Sequence, residues 1–191
     1  MTSRISTVQL ETERLLLRLP RRDDLDAYAE FYGDPEVVRF TGGVTKSRTE
    51  CAESIERMLR HWDDHGVGLF SVVRKDHEHV IGRVGLLIWD TATWRNAMQQ
   101  PAGDDIETEI GWTLARREWG RGYATEAAAA VRDFALGELG LRRLVSLIAR
   151  GNEASVRVAL KLGETLERED LAGPFKATVD LYALTVAGPA R

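Results

Sequence analysis

The apolar run Leu15-Leu16-Leu17, flanked by charged residues and halted by Pro20, predicts a first strand over Glu13–Leu19. Apolar positions then change period. Leu25, Tyr28, Ala29 and Tyr32 recur at helical spacing behind Asp23 and Asp24, and Gly33-Asp34-Pro35 ends that helix. Ser47 followed by Glu50 has the spacing of a capping box. It opens a second helix with Ile55, Met58, Leu59 and Trp62 on one face, ended by Gly66. Gly68–Arg74 and His79–Trp89 predict an antiparallel hairpin across Lys75-Asp76-His77-Glu78. Asp90–Asp105 is polar and reads as a long loop between strands, of a length that is often functional. Glu107–Leu114 is the next strand, and the alanine-rich Thr125–Leu139 is a helix ended by Gly140. Arg143–Ile148 is a strand, and Asn152 caps a helix over Glu153–Leu162 with Gly163 behind it. Strands at Glu164–Arg168 and Val179–Thr185 close the pattern. This order predicts an α/β (α+β) fold: one domain with a mixed sheet and helices on its faces.

Composition narrows the function classes. With 191 residues and no repeat or internal boundary, the chain fits a single domain with its own core. A formal charge of −4 argues against nucleic acid as the main partner, because phosphate contacts need many cations. The one cysteine, Cys51, allows no internal disulfide and suits a reducing cytoplasm. Met1–Ser6 lacks the apolar core of a signal peptide, and no apolar run is long enough for a membrane span. His61 and His65 have the helical spacing of zinc proteases, but Trp62 stands where the glutamate is required, so no metal site is expected.

Against this acidic background, Arg116-Arg117-Glu118-Trp119-Gly120-Arg121-Gly122-Tyr123-Ala124 concentrates cations between a strand and a helix. Backbone N–H groups at such a helix mouth point outward at the positive end of the helix dipole and suit phosphate. Gly120 and Gly122 bring the backbone close to a ligand. The dinucleotide fingerprint fails at Thr125, and the Walker pattern is absent. The plain alternative is a strand–helix turn that needs two glycines.

Arg117-x-x-Gly120-x-Gly122 resembles the acyl-CoA signature [RQ]-x-x-G-x-[GA] of the GNAT N-acetyltransferases. Further segments are similar to the RimJ/RimL-like branch: Thr12–Arg18, Ile81–Leu86, Glu109-Ile110-Gly111-Trp112 leading into Trp119–Ala127, and Asn152-x-x-Ser155 followed by Lys161-Leu162-Gly163. That branch usually has Phe after this glycine; here Glu164 stands there, a departure expected to concern packing more than chemistry. The resemblance spans about residues 13–185. It implies the GNAT fold, a mostly antiparallel sheet with two splayed strands, and acetyl-CoA as cofactor. The amides from Trp119 through Gly120, Arg121, Gly122 and Tyr123 to Ala124 would hold the diphosphate, with Arg117 and Arg121 either helping to neutralise it or standing as solvated loop arginines. Leu114 would offer backbone groups to the pantetheine arm, and Asn152 would bond its amide or cap its own helix, or do both.

Acyl transfer to an amine needs a base, a stabilised carbonyl oxygen and a protonated or stabilised thiolate. Glu107 and Glu109 alternate along one strand and share a face. Glu109 is the first choice for the base and Glu107 the second; otherwise each is a solvated or ion-paired carboxylate. The resemblance makes Ser155 the donor to the thiolate, against a serine that only bonds its own backbone. Trp62, Phe70 and Trp112 read as core. Trp89 and Trp94 either line the acceptor pocket or cover the hairpin.

The resemblance implies an amine-bearing acceptor, a small molecule or a protein N-terminus, bounded by Tyr32–Thr45 and Trp89–Asp105. It also implies a homodimer as one assembly. Asp90, Asp104 and Asp105 are either a lure for a cation or solubilising charges. The competing readings are a non-catalytic acyl-CoA-binding module and an enzyme that binds a nucleotide at the cradle.

Overall fold

The computed structural model describes residues 8–172 and 178–187. Strands β1 (Gln9–Glu11) and β2 (Leu15–Arg18) lead to helices α1 (Leu25–Tyr32), α2 (Pro35–Val38) and α3 (Arg48–His65). Then come β3 (Leu69–Arg74), β4 (His79–Asp90), β5 (Arg95–Asn96), β6 (Ile106–Leu114) and α4 (Tyr123–Gly137). The chain continues with β7 (Arg143–Ala149), α5 (Glu153–Lys161), β8 (Thr165–Ala172) and β9 (Thr178–Thr185). The sheet runs β1-β2-β3-β4-β6-β7-β9-β8, with β5 paired to β4. Its pairs are antiparallel except β6–β7, which run parallel and share a single register pair, Glu109 with Val145. Beyond that rung the two strands part.

Alternation along the strands gives the sheet two apolar faces. On one, Leu17, Val72, Val84 and Ile110 pack against Ala127, Ala128 and Val131 of α4, whose small side chains let the helix lie close. On the other, Leu69, Val73, Leu87 and Trp89 meet Tyr28, Phe31, Ile55 and Met58 of α1 and α3. Trp62 and Phe70 are core residues, stacked edge to face at 4.8 Å.

The local stop and start signals act as their chemistry predicts. Ser47 Oγ accepts from Glu50 N–H, and the Glu50 carboxylate accepts from Ser47 N–H at 2.8 Å, so α3 begins on a complete capping box. Other boundaries differ. Asp24 does not cap α1 with its side chain. It is buried instead, gripped by Arg18 at 2.6 and 2.8 Å and by Ser71 Oγ at 2.7 Å, because a strand-borne arginine is the stronger partner. Asp34 starts the short helix α2, unread from a four-residue segment with no visible period. The loop Asp90–Asp105 contains β5, and Asp90 anchors it by accepting from Thr93 N–H and Gly103 N–H at 2.8 Å each. Asp90 is thus held as a structural acceptor. Helix α4 begins at Tyr123, two residues before the expected Thr125.

Candidate active site

The early start of α4 rests on Gly122, whose φ of 83° is the left-handed conformation that lets the chain turn straight into the helix. The first intrahelical bond runs from Glu126 N–H to Gly122 O, so the amides of Tyr123, Ala124 and Thr125 have no partner inside the helix. Arg14 braces this mouth. It pairs with Glu126 at 2.6 Å, donates to Arg121 O at 3.1 Å and lies 4.5 Å from the Tyr123 ring centroid.

A cavity of about 450 Å³ opens in front of it. Leu114, Trp119, Gly120, Gly122 and Ala124 line one side, and Asn152, Ser155 and Val158 of the α5 region line the other. Trp119 is half exposed, and its Nε1 donates to Leu114 O at 2.9 Å. Ala115 N–H pairs with Ile81 O, so alternation turns the backbone groups of Leu114 and Trp112 away from β4, toward the gap beside β7. Leu114 therefore offers its N–H to the cavity while its carbonyl already serves Trp119.

Two of the expected cofactor contacts, Arg117 and Arg121, stand apart from this cavity. Arg117 is drawn to Glu30 of α1 and to Glu118, and lines neither this cavity nor the next one. Arg121 lies 3.6 Å from Glu118 and lines neither cavity. Glu118 is itself buried and also pairs with Arg74 at 3.2 Å. Arg117 and Arg121 are thus more fully countered than the sequence implied. Tyr123 turns its ring into the core, leaving only its backbone at the helix mouth.

A second cavity, of about 210 Å³, lies on the α1–α3 side and shares Phe40, Thr41, Trp112, Thr113, Asn152 and Ser155 with the first. The two meet where β6 and β7 part. Trp112, expected in the core, lines both, because the missing β7 partner leaves its strand edge open. Glu109 stands in the wall of the second cavity and accepts from Trp89 Nε1 at 2.6 Å. Burial raises its pKa above the ordinary carboxylate value, against the opposing pull of the Trp89 N–H, Arg83 and the Leu147 amide. Glu107 shares the face but not the cavity. It is bound to Arg143 at 3.0 Å, and Arg143 also holds Glu167 at 2.7 Å. Trp89 thus lines the pocket, whereas Trp94 packs against the β7–β9 cluster.

Asn152 performs the capping role with Oδ1, which accepts from Ser155 N–H at 3.2 Å. Its side-chain amide leaves Nδ2 for a carbonyl in the cavity. Among the described residues no hydrogen bond takes up the Ser155 hydroxyl. Behind this wall lies Glu164, 2% exposed, with Oε1 3.1 Å from Ser146 Oγ and Oε2 without a hydrogen-bond partner among the described residues. Sequence reasoning assigned it to packing; it is instead a buried acid next to the site, with a pKa raised to about 8 by burial and by Glu109. Lys46, Arg57 and Arg83 in the second cavity were also missed. Arg83 alone carried a signal, a charge inside the apolar run of β4. No group of three His, Cys, Asp or Glu among the described residues is placed to hold a metal.

The acetyltransferase (GNAT) domain profile matches residues 14–165, most of the chain. The chain belongs to the GNAT acetyltransferases. It falls in their RimJ/RimL-like branch, and acetyl-CoA is the acyl donor. Its relatives include YkkB of Bacillus subtilis, 31% identical over 81% of this chain and 84% of that protein. N-acetyltransferase p20 of Bacillus licheniformis is 26% identical over 93% of this chain and 94% of that protein. The crystal structure of an acetyltransferase from Agrobacterium tumefaciens superposes with a TM-score of 0.75 at 28% identity, covering 97% of this chain and 99% of that one.

The residues of this acetyltransferase fit such a donor. The parted strands expose backbone amides along the larger cavity, and the α4 mouth presents three more to an anion. A Cβ added at Gly120 would meet nothing within 4 Å, whereas one at Gly122 would meet Arg14 Nη2 at 3.4 Å. Gly120 is therefore the cleaner probe of the cradle, since a side chain at Gly122 also disturbs the Arg14 brace. Gly120→Trp is expected to weaken acetyl-CoA binding by about tenfold or more, with its φ of 73° adding a stability cost of about 1–2 kcal/mol. Calorimetric titration beside a thermal melt separates the two. Unchanged affinity in a folded variant would remove the loop from the site.

Proposed function

We propose that this acetyltransferase moves an acetyl group to a primary amine by direct attack of the amine on the thioester. The observation that carries the reading is the meeting of the two cavities between β6 and β7, with Glu109 in the wall of one and Asn152 and Ser155 shared by both. The donor, when bound, supplies an activated acyl group with a thiolate leaving group. The chain's own residues do the rest. Glu109 accepts a proton from the ammonium, directly or through water, and its raised pKa makes it a stronger base. The Asn152 cap and the Leu114 and Trp112 amides orient the acyl arm. A main-chain N–H of β6 at the gap is a donor to the carbonyl oxygen as negative charge develops there. The Ser155 hydroxyl donates to the departing sulfur.

The test is release of coenzyme A thiol from acetyl-CoA across amines and short peptides. Acetyl-CoA binding without release across the whole set would favour the non-catalytic module. Ser155→Ala is expected to lower kcat by about tenfold to a hundredfold with little change in KM for acetyl-CoA. An unchanged kcat would return Ser155 to a purely local role at the helix start.

A further inference from the structure

The second cavity has an excess of positive charge that the family chemistry does not require. Lys46 Nζ bonds Ser54 Oγ at 3.2 Å and stands 4.2 Å from the Tyr32 ring centroid. Arg57 Nη2 bonds the same Ser54 Oγ at 2.9 Å. Arg83 rises from β4 behind them, with a buried Nε that has no hydrogen-bond partner among the described residues. Among the described residues no carboxylate lies within ion-pair distance of Lys46 or Arg83. Arg57 has only Glu53, at 3.7 Å on an exposed helical turn. The one carboxylate in the cavity wall, Glu109, is bonded to Trp89. Crowding tells on the cations themselves: burial first, then Arg83 and Arg57, lowers the Lys46 pKa to about 8. Such a cluster in a chain of net charge −4 is costly unless an anion meets it.

We infer that the acceptor is a small amine carrying its own oxyanion, a carboxylate or a phosphate, which docks on Lys46, Arg57 and Arg83 while the amine faces Glu109. The inference rests on the acetyl-transfer reading and names its substrate class. Its charge logic has two parts. An oxyanion accepts the hydrogen bonds that Arg83 Nε and the two flanking cations have left to give. The same positive field disfavours a substrate that brings no anion to offset its ammonium. Polyamines and aminoglycosides bring only positive charge, and the pocket repels them. Amino acids and phosphorylated amines satisfy both requirements.

The experiment compares amines that differ only in the anion, at saturating acetyl-CoA: an α-amino acid against its carboxamide, and O-phosphoethanolamine against ethanolamine, with spermidine beside them. The anionic member of at least one pair is expected to exceed its neutral partner in kcat/KM by about tenfold or more. The pair that shows the preference identifies carboxylate or phosphate. Arg57→Met, on the helix surface, and Arg83→Met are expected to erase that preference. They lower the anionic substrate about tenfold and the neutral one less than about threefold, with acetyl-CoA affinity unchanged. Arg57→Met keeps the test open if the strand variant misfolds. Turnover of carboxamides or spermidine equal to that of the anionic amines overturns the inference and leaves acetyl transfer standing. So do variants that depress both members of a pair alike. Acetyl-CoA binding with no thiol release from any amine overturns acetyl transfer itself, and this inference with it.

Discussion

Glu109→Gln is expected to lower kcat by about a hundredfold to ten-thousandfold while acetyl-CoA binds as before, because it removes a base and keeps the shape of the side chain. The Trp89 indole N–H retains an acceptor in the amide oxygen, so the wall of the pocket should stay in place. The pH profile gives a second readout. A base at Glu109 works as a carboxylate, so on the proposed reading activity is expected to fall as pH drops through its pKa. Burial raises that pKa, so this acidic limb lies above the range of an ordinary glutamate. The Gln variant should lose the limb along with the rate. Glu107→Gln is the control. Glu107 serves Arg143 rather than the cavity, and its loss should change kcat by less than about threefold. Equal losses in the two variants would sink the assignment of the base to Glu109.

The other large effect concerns stability. Ser146 Oγ lies 2.9 Å from Ile110 O and 3.1 Å from Glu164 Oε1, yet a hydroxyl has one proton. If that proton goes to the Ile110 carbonyl, the second bond needs a proton from Glu164. A neutral Glu164 completes the chain, in keeping with its pKa of about 8. The folded state then keeps a proton that the unfolded chain releases above its ordinary value of 4.5. Stability from this group is full below 4.5 and is lost as pH rises through about 8. At full ionisation that interval corresponds to about 5 kcal/mol, an upper figure for a site able to relax. Glu164→Gln should therefore match the parent protein near pH 4.5, exceed it increasingly up to about pH 8, and hold that gap toward pH 9. Urea unfolding of both proteins across that range measures the difference. A gap that stays constant with pH would mean that Glu164 is ionised in the folded protein.

These two carboxylates mark how far the sequence could be read. Ser47 with Glu50, and Asn152 with Ser155, were legible because each is a contact within one turn, written in neighbouring letters. The order of strands and helices was legible because each element buries one face and so carries a period. The start of α4 was misplaced by two residues because a left-handed glycine acts as its cap, and the residues after it look like loop until Gly122 is seen in place. Partners distant in the chain left no such trace. Arg117 looks like a phosphate ligand until Glu30 arrives from α1. Lys46, Ser54, Arg57 and Arg83 converge only once α3 lies across β4, and nothing in the sequence says that Glu164 will be enclosed.

A nine-stranded sheet joined across its middle by one rung behaves as two stiff plates sharing a short seam. Main-chain pairing cannot set the aperture between plates that have stopped pairing. That task passes to side-chain struts: Arg132 of α4 reaches across to the carbonyl of Leu162 at the end of α5, and Ser146 of β7 ties back to Ile110 of β6. The width of the slot is therefore a tunable dimension, set by a few residues that need never touch what enters it.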